Sequence, residues 1–345
     1  MAMRCSTCGT QYPDDARFCA KDGTRLGSAE QPAPPATATR ANEGLSVDSS
    51  AQPAATRHTN MAGQVLDRRY AIVKKVGEGG MSYVYLARDV VTDTRYAIKI
   101  LSPALSKDAT AMARLRREAA LGIRLAHPNV CHIVRMGETE EGLCYVVMPF
   151  VEGEILSDRT YRVGKTTLTD TSTFISEIAD GLHVVHQLGI VHRDLKPENI
   201  MICKSATGQE YAVVMDFGLA KERKAGSELQ KLTATGIILG TPEFMSPEQL
   251  RGKPLDLRTD IYSLALMTYE MLTAKLPFEG ANQQAMMIAR LRAEPIPARS
   301  RVPEIPAAVD AVLLKGMARD ANDRYATAPE FAAALRAAIV RVDHP

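Results

Sequence analysis

The sequence predicts an α+β chain with a small antiparallel β-sheet lobe carrying one helix, a larger, mainly helical lobe behind it, and a separate head in front. Three observations predict this. Apolar residues between positions 70 and 148 come in short alternating runs, as in half-buried strands. After Gly153 they recur at three- and four-residue intervals, the period of an amphipathic helix. Ahead of both lies a stretch of small polar residues that separates the lobes from a cysteine-bearing N-terminus.

In chain order, residues 1–27 form a compact Cys- and Gly-containing head that resembles a zinc ribbon. Residues 28–69 are rich in Ala, Pro, Thr and Ser and contain few large apolar side chains, so burial cannot offset the entropy of ordering and a disordered linker is expected. The main domain spans 70–336 and a short tail 337–345. Residues 70–76, 82–87 and 96–100 read as strands. Residues 108–126 read as a helix with Met112, Leu115, Ala119 and Ile123 on its apolar face and Pro128 as its stop signal. A further strand covers 144–148, and Phe174, Ile178, Leu182 and Val185 mark the first long helix of the second lobe. No internal repeat of 20 to 50 residues is visible.

Composition narrows the function. With 42 Lys and Arg against 40 Asp and Glu, the formal charge is +2, which lacks the basic excess of a nucleic-acid binder. No apolar run reaches the ~18 residues that cross a bilayer, and the start lacks a signal-peptide core, so a cytoplasmic protein is expected. Cys131, Cys144 and Cys203 read as small buried hydrophobes rather than disulfide partners.

Four motifs carry chemistry. Gly77-Glu78-Gly79-Gly80-Met81-Ser82 lies between two strand-like runs, where glycines let backbone N–H groups approach a phosphate; a ligand-free hairpin turn would read the same. Because a strand follows, a dinucleotide-binding fingerprint, which needs a helix there, is disfavoured. Lys99 sits in the next strand, after Ala97 and Ile98, where a lysine is usually a solvated residue. Glu118 on the following helix changes that reading, because a buried ammonium needs a carboxylate partner. The third motif, His192-Arg193-Asp194-Leu195-Lys196-Pro197-Glu198-Asn199, puts a carboxylate, a lysine and an amide in one short loop. Asp194 could accept a hydroxyl proton, Lys196 could neutralise a phosphate, and Asn199 could offer a neutral oxygen to a divalent cation. The fourth, Asp216-Phe217-Gly218, follows an apolar strand and places a carboxylate at its end, where a hard cation would take it.

Together these residues resemble the eukaryotic-like serine/threonine protein kinases of bacteria, over roughly 70–335 and with the motifs in the family's order. The resemblance implies a two-lobed protein kinase fold that transfers the γ-phosphoryl group of ATP, with Mg²⁺ or Mn²⁺, to Ser or Thr hydroxyls of protein substrates. It implies Lys99 paired with Glu118, Asp194 as base, Lys196 on the γ-phosphate, and Asn199 and Asp216 on the metal. ATP would touch Val76, Gly77, Glu78, Gly79, Gly80, Met81, Ser82 and Val84 at the glycine loop. Ala97, Lys99, Met148, Pro149, Val151 and Met201 would complete its site, with Val84, Ala97 and Met201 sandwiching the adenine. Ser82 replaces the family's third glycine, Ser246 replaces the alanine before Pro247-Glu248, and Pro149 replaces an acidic hinge residue while keeping its carbonyl. Glu248 is expected to pair with Arg324, and Asp260 to brace the catalytic loop. Autophosphorylation of Thr233 or Thr235, for which a dimer would offer a route in trans, would add ~−1.5 to −2 charges near Arg193. The competing readings are a pseudokinase binding module, disfavoured because Lys99, Asp194 and Asp216 are all present, and a small-molecule kinase, disfavoured by the long segment 216–248.

In the head, Cys5, Cys8 and Cys19 have ribbon-like spacing, with Asp22 in place of a fourth cysteine. Three thiolates and a carboxylate can hold Zn²⁺; a metal-free ribbon or a reactive Cys-x-x-Cys pair would use the same residues. Some 27 residues cannot bury an adequate core, which favours metal.

Overall fold

Tyr145, Val146, Val147 and Met148 are four consecutive buried residues in one strand, and they divide between two cores. Successive side chains of a strand point to opposite faces, so a sheet covered on both sides shows an unbroken apolar run. Tyr145 and Val147 join Tyr70, Ile72, Tyr85, Ile98 and Ile100 on one face. Val146 and Met148 join Ala97, Met112, Leu115, Cys131 and Val213 on the other.

The computed structural model describes residues 3–4, 11–12, 61–79, 82–217 and 242–343. Of the first of two compact units, 1–56, it describes an antiparallel pair, β1 (Met3–Arg4) and β2 (Gln11–Tyr12), with Met3 opposite Tyr12. Cys5, Cys8, Cys19 and Asp22 lie outside the described residues.

The second unit begins with six antiparallel strands: β3 (Val65–Leu66), β4 (Tyr70–Gly79), β5 (Ser82–Asp89), β6 (Arg95–Leu101), β7 (Arg135–Glu138) and β8 (Cys144–Pro149). Their order is β3-β4-β5-β6-β8-β7. Tyr70 and Ile72 are buried, whereas most of β4 beyond them is exposed, so the β4–β5 hairpin projects past the core. A short α1 (Pro103–Ser106) leads to α2 (Ala109–Gly122), capped by Asp108, whose carboxylate accepts from Thr110 N at 3.1 Å and Ala111 N at 3.0 Å.

Met112, Leu115 and Ala119 are the buried face of α2, as expected, but the helix stops at Gly122 and Ile123 is 49% exposed. The expected 108–126 helix is therefore shorter. A Cβ at Gly122 would stand 3.0 Å from Ile133 Cδ1, and this tight approach lies where the helix ends.

The helical lobe follows β9 (Glu154–Ile155) and α3 (Leu156–Val163). Its first long helix, α4 (Leu168–Gln187), buries Phe174, Ile178, Leu182 and Val185. A second small sheet orders β11 (Glu210–Val214), β10 (Ile200–Lys204) and β9. After α5 (Pro247–Leu250) comes α6 (Arg258–Thr273), buried at every position except Arg258 and Glu270. Such a helix can only be a central pillar. Its hydroxyls turn back on its own carbonyls, Thr268 Oγ1 to Leu264 O at 2.7 Å and Thr273 Oγ1 to Tyr269 O at 2.8 Å. The remaining helices are α7 (Gln283–Arg292), α8 (Ala298–Arg301), α9 (Ala307–Gly316) and α10 (Ala328–Asp343).

Two expected boundaries move. Met61 is buried and β3 pairs with the start of β4, so residues 61–69 belong to the fold and not to the 28–69 linker. At the other end α10 runs past residue 336, and Ala338 is 5% exposed within the core, so part of the expected 337–345 tail is structural. Among the described residues no helix is long and apolar enough to cross a membrane.

Candidate active site

Strand register assembles one wall. Val84 stands opposite Lys99, Lys99 opposite Val146, and Ala97 opposite Met148, and residues directly opposite share a face. Val84, Ala97, Lys99 and Met148 therefore point to the same side. Met201 of β10 and Val151 pack against the apolar cluster that contains Ala97 and Met148. Close approach of the two walls depends on Gly153, where a Cβ would fall 2.4 Å from Ile202 O. Pro149 O accepts from the Cys131 thiol at 3.8 Å. At the hairpin tip Gly79 faces Ser82; Gly80 and Met81 lie outside the described residues, and Val76 and Glu78 are exposed beside them.

Lys99 is the cation of this cleft. Its Nζ lies 2.9 Å from Asp216 Oδ1. Asp216 follows β11 with φ of +54°, a left-handed backbone that costs a non-glycine residue on the order of 1 kcal/mol. Phe217 turns inward against His192, ring centroids 5.3 Å apart, and lines a small cavity with Glu118, Met148 and Cys131. Burial pushes the Cys131 thiol up to about 12, so it stays protonated and unreactive.

The loop 191–199 is held from below. His192 and Arg193 donate backbone N–H groups to Asp260, at 2.8 Å to Oδ2 and 2.9 Å to Oδ1, and His186 Nε2 donates to Oδ2 at 2.7 Å. Burial alone would raise the Asp260 carboxyl, but these donors hold it below the ordinary aspartate value, as an anion. Arg193 takes φ of +65° at this anchor. The His192 ring accepts from Asp194 N at Nδ1 (3.3 Å) and donates from Nε2 to Met215 O (2.9 Å), which ties the loop to the residue before Asp216.

Above the anchor, Asn199 Nδ2 donates to Asp194 O at 2.7 Å and to its Oδ2 at 3.1 Å, and Lys196 Nζ lies 3.7 Å from the same Oδ2. Asn199 O accepts from Met215 N at 2.8 Å. These bonds bring the 194–199 loop and the 216 strand end together.

The far end of the segment is also fixed. Arg324 binds Glu248 through two parallel bonds, Nη1 to Oε1 at 2.7 Å and Nη2 to Oε2 at 2.8 Å, as expected from the resemblance. Sequence reasoning missed Gln249, whose Nε2 donates to Arg193 O at 2.7 Å and whose Oε1 accepts from Ser246 N at 2.9 Å. The Ser-x-x-Gln spacing of a capping box could have revealed it. His186 was missed too, and nothing local marks a helix-end histidine as the partner of a residue on α6. Thr233, Thr235, Gly218 and Thr241 lie outside the described residues.

With this geometry in view, the comparisons are decisive, because the protein kinase domain model matches residues 70–334. The chain belongs to the protein kinase family. It is 34% identical over 277 residues to serine/threonine-protein kinase pkn3 of Myxococcus xanthus, covering 80% of this chain and 51% of that protein. It is 39% identical over 280 residues to serine/threonine-protein kinase PknB of Mycobacterium tuberculosis, covering 80% of this chain and 43% of that one. The chain thus spans about half the length, or less, of these curated relatives. The kinase domain of M. tuberculosis PknI superposes with a TM-score of 0.64 at 25% identity, covering 81% of this chain and all of that one.

The kinase cofactors fit the residues present. Apolar walls would suit a purine, Lys99 would suit phosphate oxygens, and Asp216 with the side-chain oxygen of Asn199 would offer the hard donors that Mg²⁺ prefers. No group of three or more His, Cys, Asp and Glu placed to hold a metal occurs among the described residues. A site shared with a nucleotide does not need one.

Proposed function

We propose that the chain is an ATP-dependent protein serine/threonine kinase. The observation that supports this best is the meeting of Lys99 with Asp216 at 2.9 Å beside a loop in which Asn199 aims the Asp194 carboxylate. When bound, Mg-ATP supplies the transferable γ-phosphoryl group. Lys99 holds the α- and β-phosphates and Glu118 braces it. Asp194 orients the acceptor hydroxyl and takes its proton, while Lys196 offsets charge on the phosphoryl oxygens. Val84, Ala97, Met148 and Met201 exclude water around the adenine, and Pro149 O with Val151 N–H matches its polar edge. The Lys at position 196 favours Ser/Thr over Tyr acceptors.

The reading extends to regulation: a second copy transfers the γ-phosphoryl group of ATP to the hydroxyl of Thr233 or Thr235, releasing ADP, and the added negative charge suits Arg193 as its partner. The head binds Zn²⁺ through Cys5, Cys8, Cys19 and Asp22. Cys131, Cys144 and Cys203 are free thiols, which suits the reducing cytosol expected for the chain. Incubation of the full chain with Mg-ATP, followed by phosphopeptide mass spectrometry, tests the reading. Phosphoserine or phosphothreonine should appear with wild type and vanish with Asp194→Asn; phosphate on neither protein would refute it. Metal analysis of the same material should find one zinc per chain, lost in Cys5→Ser.

A further inference from the structure

Residues 242–248 lead into Gln249, whose Nε2 bonds the carbonyl of Arg193, the residue before Asp194, the base of the proposed reading. Arg324 grips the end of this segment at Glu248. A second arginine grips its beginning. Arg290 of α7 is 1% exposed, and its Nη1 donates to Pro242 O at 2.6 Å and to Met245 O at 3.3 Å. Its guanidinium carbon lies 5.8 Å from the centre of the Phe278 ring. Both arginines border Tyr262 of α6: Arg324 sits 4.8 Å over its ring, and both cations pull its phenol down against the burial that pushes it up.

Arg290 is an expensive way to fill this space. Among the described residues, its Nε and Nη2 have no hydrogen-bond partner, and burial disfavours its charge. An apolar side chain of similar volume would avoid that cost, as replacements of buried charges commonly do. What a methionine could not do is hold two carbonyls of one turn. That turn is tied to the 191–199 loop, because Gln249 bonds Arg193 O, and Met245, Leu250 and Met287 pack in one apolar cluster.

We propose that Arg290 is a positioning residue for acceptor docking: by holding Pro242 O and Met245 O it fixes the turn that leads to Gln249, and through the Gln249 bond to Arg193 O it sets where an acceptor chain would lie against Asp194. The inference rests on the phosphoryl-transfer reading above.

The test compares wild type, Arg290→Met and Arg290→Lys as full chains, with dephosphorylated casein as acceptor. For each, KM for casein, KM for ATP, acceptor-free ATP hydrolysis and Tm are measured. Arg290→Met should raise KM for casein about tenfold, the size of effect expected for hydrogen bonds from a charged donor. KM for ATP and acceptor-free hydrolysis should stay within twofold, and Tm should hold or rise. Arg290→Lys, which keeps the charge, should fall between the two. An unchanged KM for casein in Arg290→Met overturns the inference, as does a loss shared equally by ATP binding and Tm. Should Arg290→Met fail to fold, an unchanged KM for casein in Arg290→Lys overturns it instead. A wild type that hydrolyses ATP but labels no protein would sink the functional reading, and the inference with it.

Discussion

Lys99 and Asp216 are joined by an ion pair of 2.9 Å across the cleft, one from the centre of the sheet and the other from the end of β11. The two charges hold each other in place, and under the proposed reading phosphates and a cation would separate them. Lys99→Met should therefore lower phosphoryl transfer by about 10²–10³-fold, the usual effect of removing one preorganised charge. Steady-state transfer to casein checks this; activity within fivefold of wild type would remove Lys99 from the site.

Asp194 receives the Asn199 amide at both its carbonyl and its carboxylate. Asp194→Asn keeps the backbone bond and the shape, so nucleotide affinity measured by calorimetry should stay within a few-fold. Transfer should drop by roughly 10²–10⁴, the contribution of a general base. Equal loss of both would mean the substitution disturbs the loop and not the chemistry.

The Glu248–Arg324 pair is buried, and Arg324 also donates to Arg258 O at 2.9 Å and Ala318 O at 2.8 Å. Glu248→Ala leaves that guanidinium without its carboxylate and should cost about 3–5 kcal/mol. Urea unfolding of the full chain would show it, and a loss below ~1 kcal/mol would mark the pair as dispensable.

Asp260 is wholly buried and its carboxyl is lowered by His186 and two backbone N–H groups. A folded-state value below the unfolded one adds stability above the unfolded value, near 3.8, and that stability is lost as pH falls through the folded value. Asp260→Asn should flatten the acid limb of the stability curve and destabilise the protein at pH 7 by about 2–3 kcal/mol. An unaltered acid limb would contradict the assignment.

Glu270 behaves in the opposite sense. Burial, with Glu198 and Glu243 nearby, pushes its carboxyl up to about 7 from 4.5. The native state then holds a proton that the unfolded chain releases, so stability is full below the unfolded value and declines as pH rises through 7. Glu270→Gln should raise stability at pH 8 by on the order of 2–3 kcal/mol and leave it unchanged near pH 4. Melting curves at the two pH values decide, and the same shift at both would refute the titration.

Most of the fold was legible because its signals are local. Alternation in residues 96–100 and 144–148 marks strands, and the spacing of Phe174, Ile178, Leu182 and Val185 marks a helix, since both follow from side-chain direction along the backbone. The end of α2 is not legible, because the apolar period runs on through Ile123, while only the packed structure shows that a Cβ at Gly122 would crowd Ile133 of the segment after the helix. The span 61–69 was assigned to the linker because β3 is only two residues long and has meaning only against β4.

The site divides in the same way. Asp194, Lys196, Asn199 and Asp216 stand out in the sequence as candidates, because the proposed phosphoryl transfer would demand hard oxygens and cations within short loops. By itself the sequence determined the strand and helix periods and carried the resemblance to the kinase family. The tertiary structure alone decided that His186 joins Asp260 beneath the 191–199 loop, that Gln249 bonds Arg193 O, that Arg290 bonds Pro242 O and Met245 O, and that Glu270 stands near Glu198 and Glu243. Those contacts join residues far apart in the chain, and their energies depend on burial and on the direction of single donors, which no local pattern encodes.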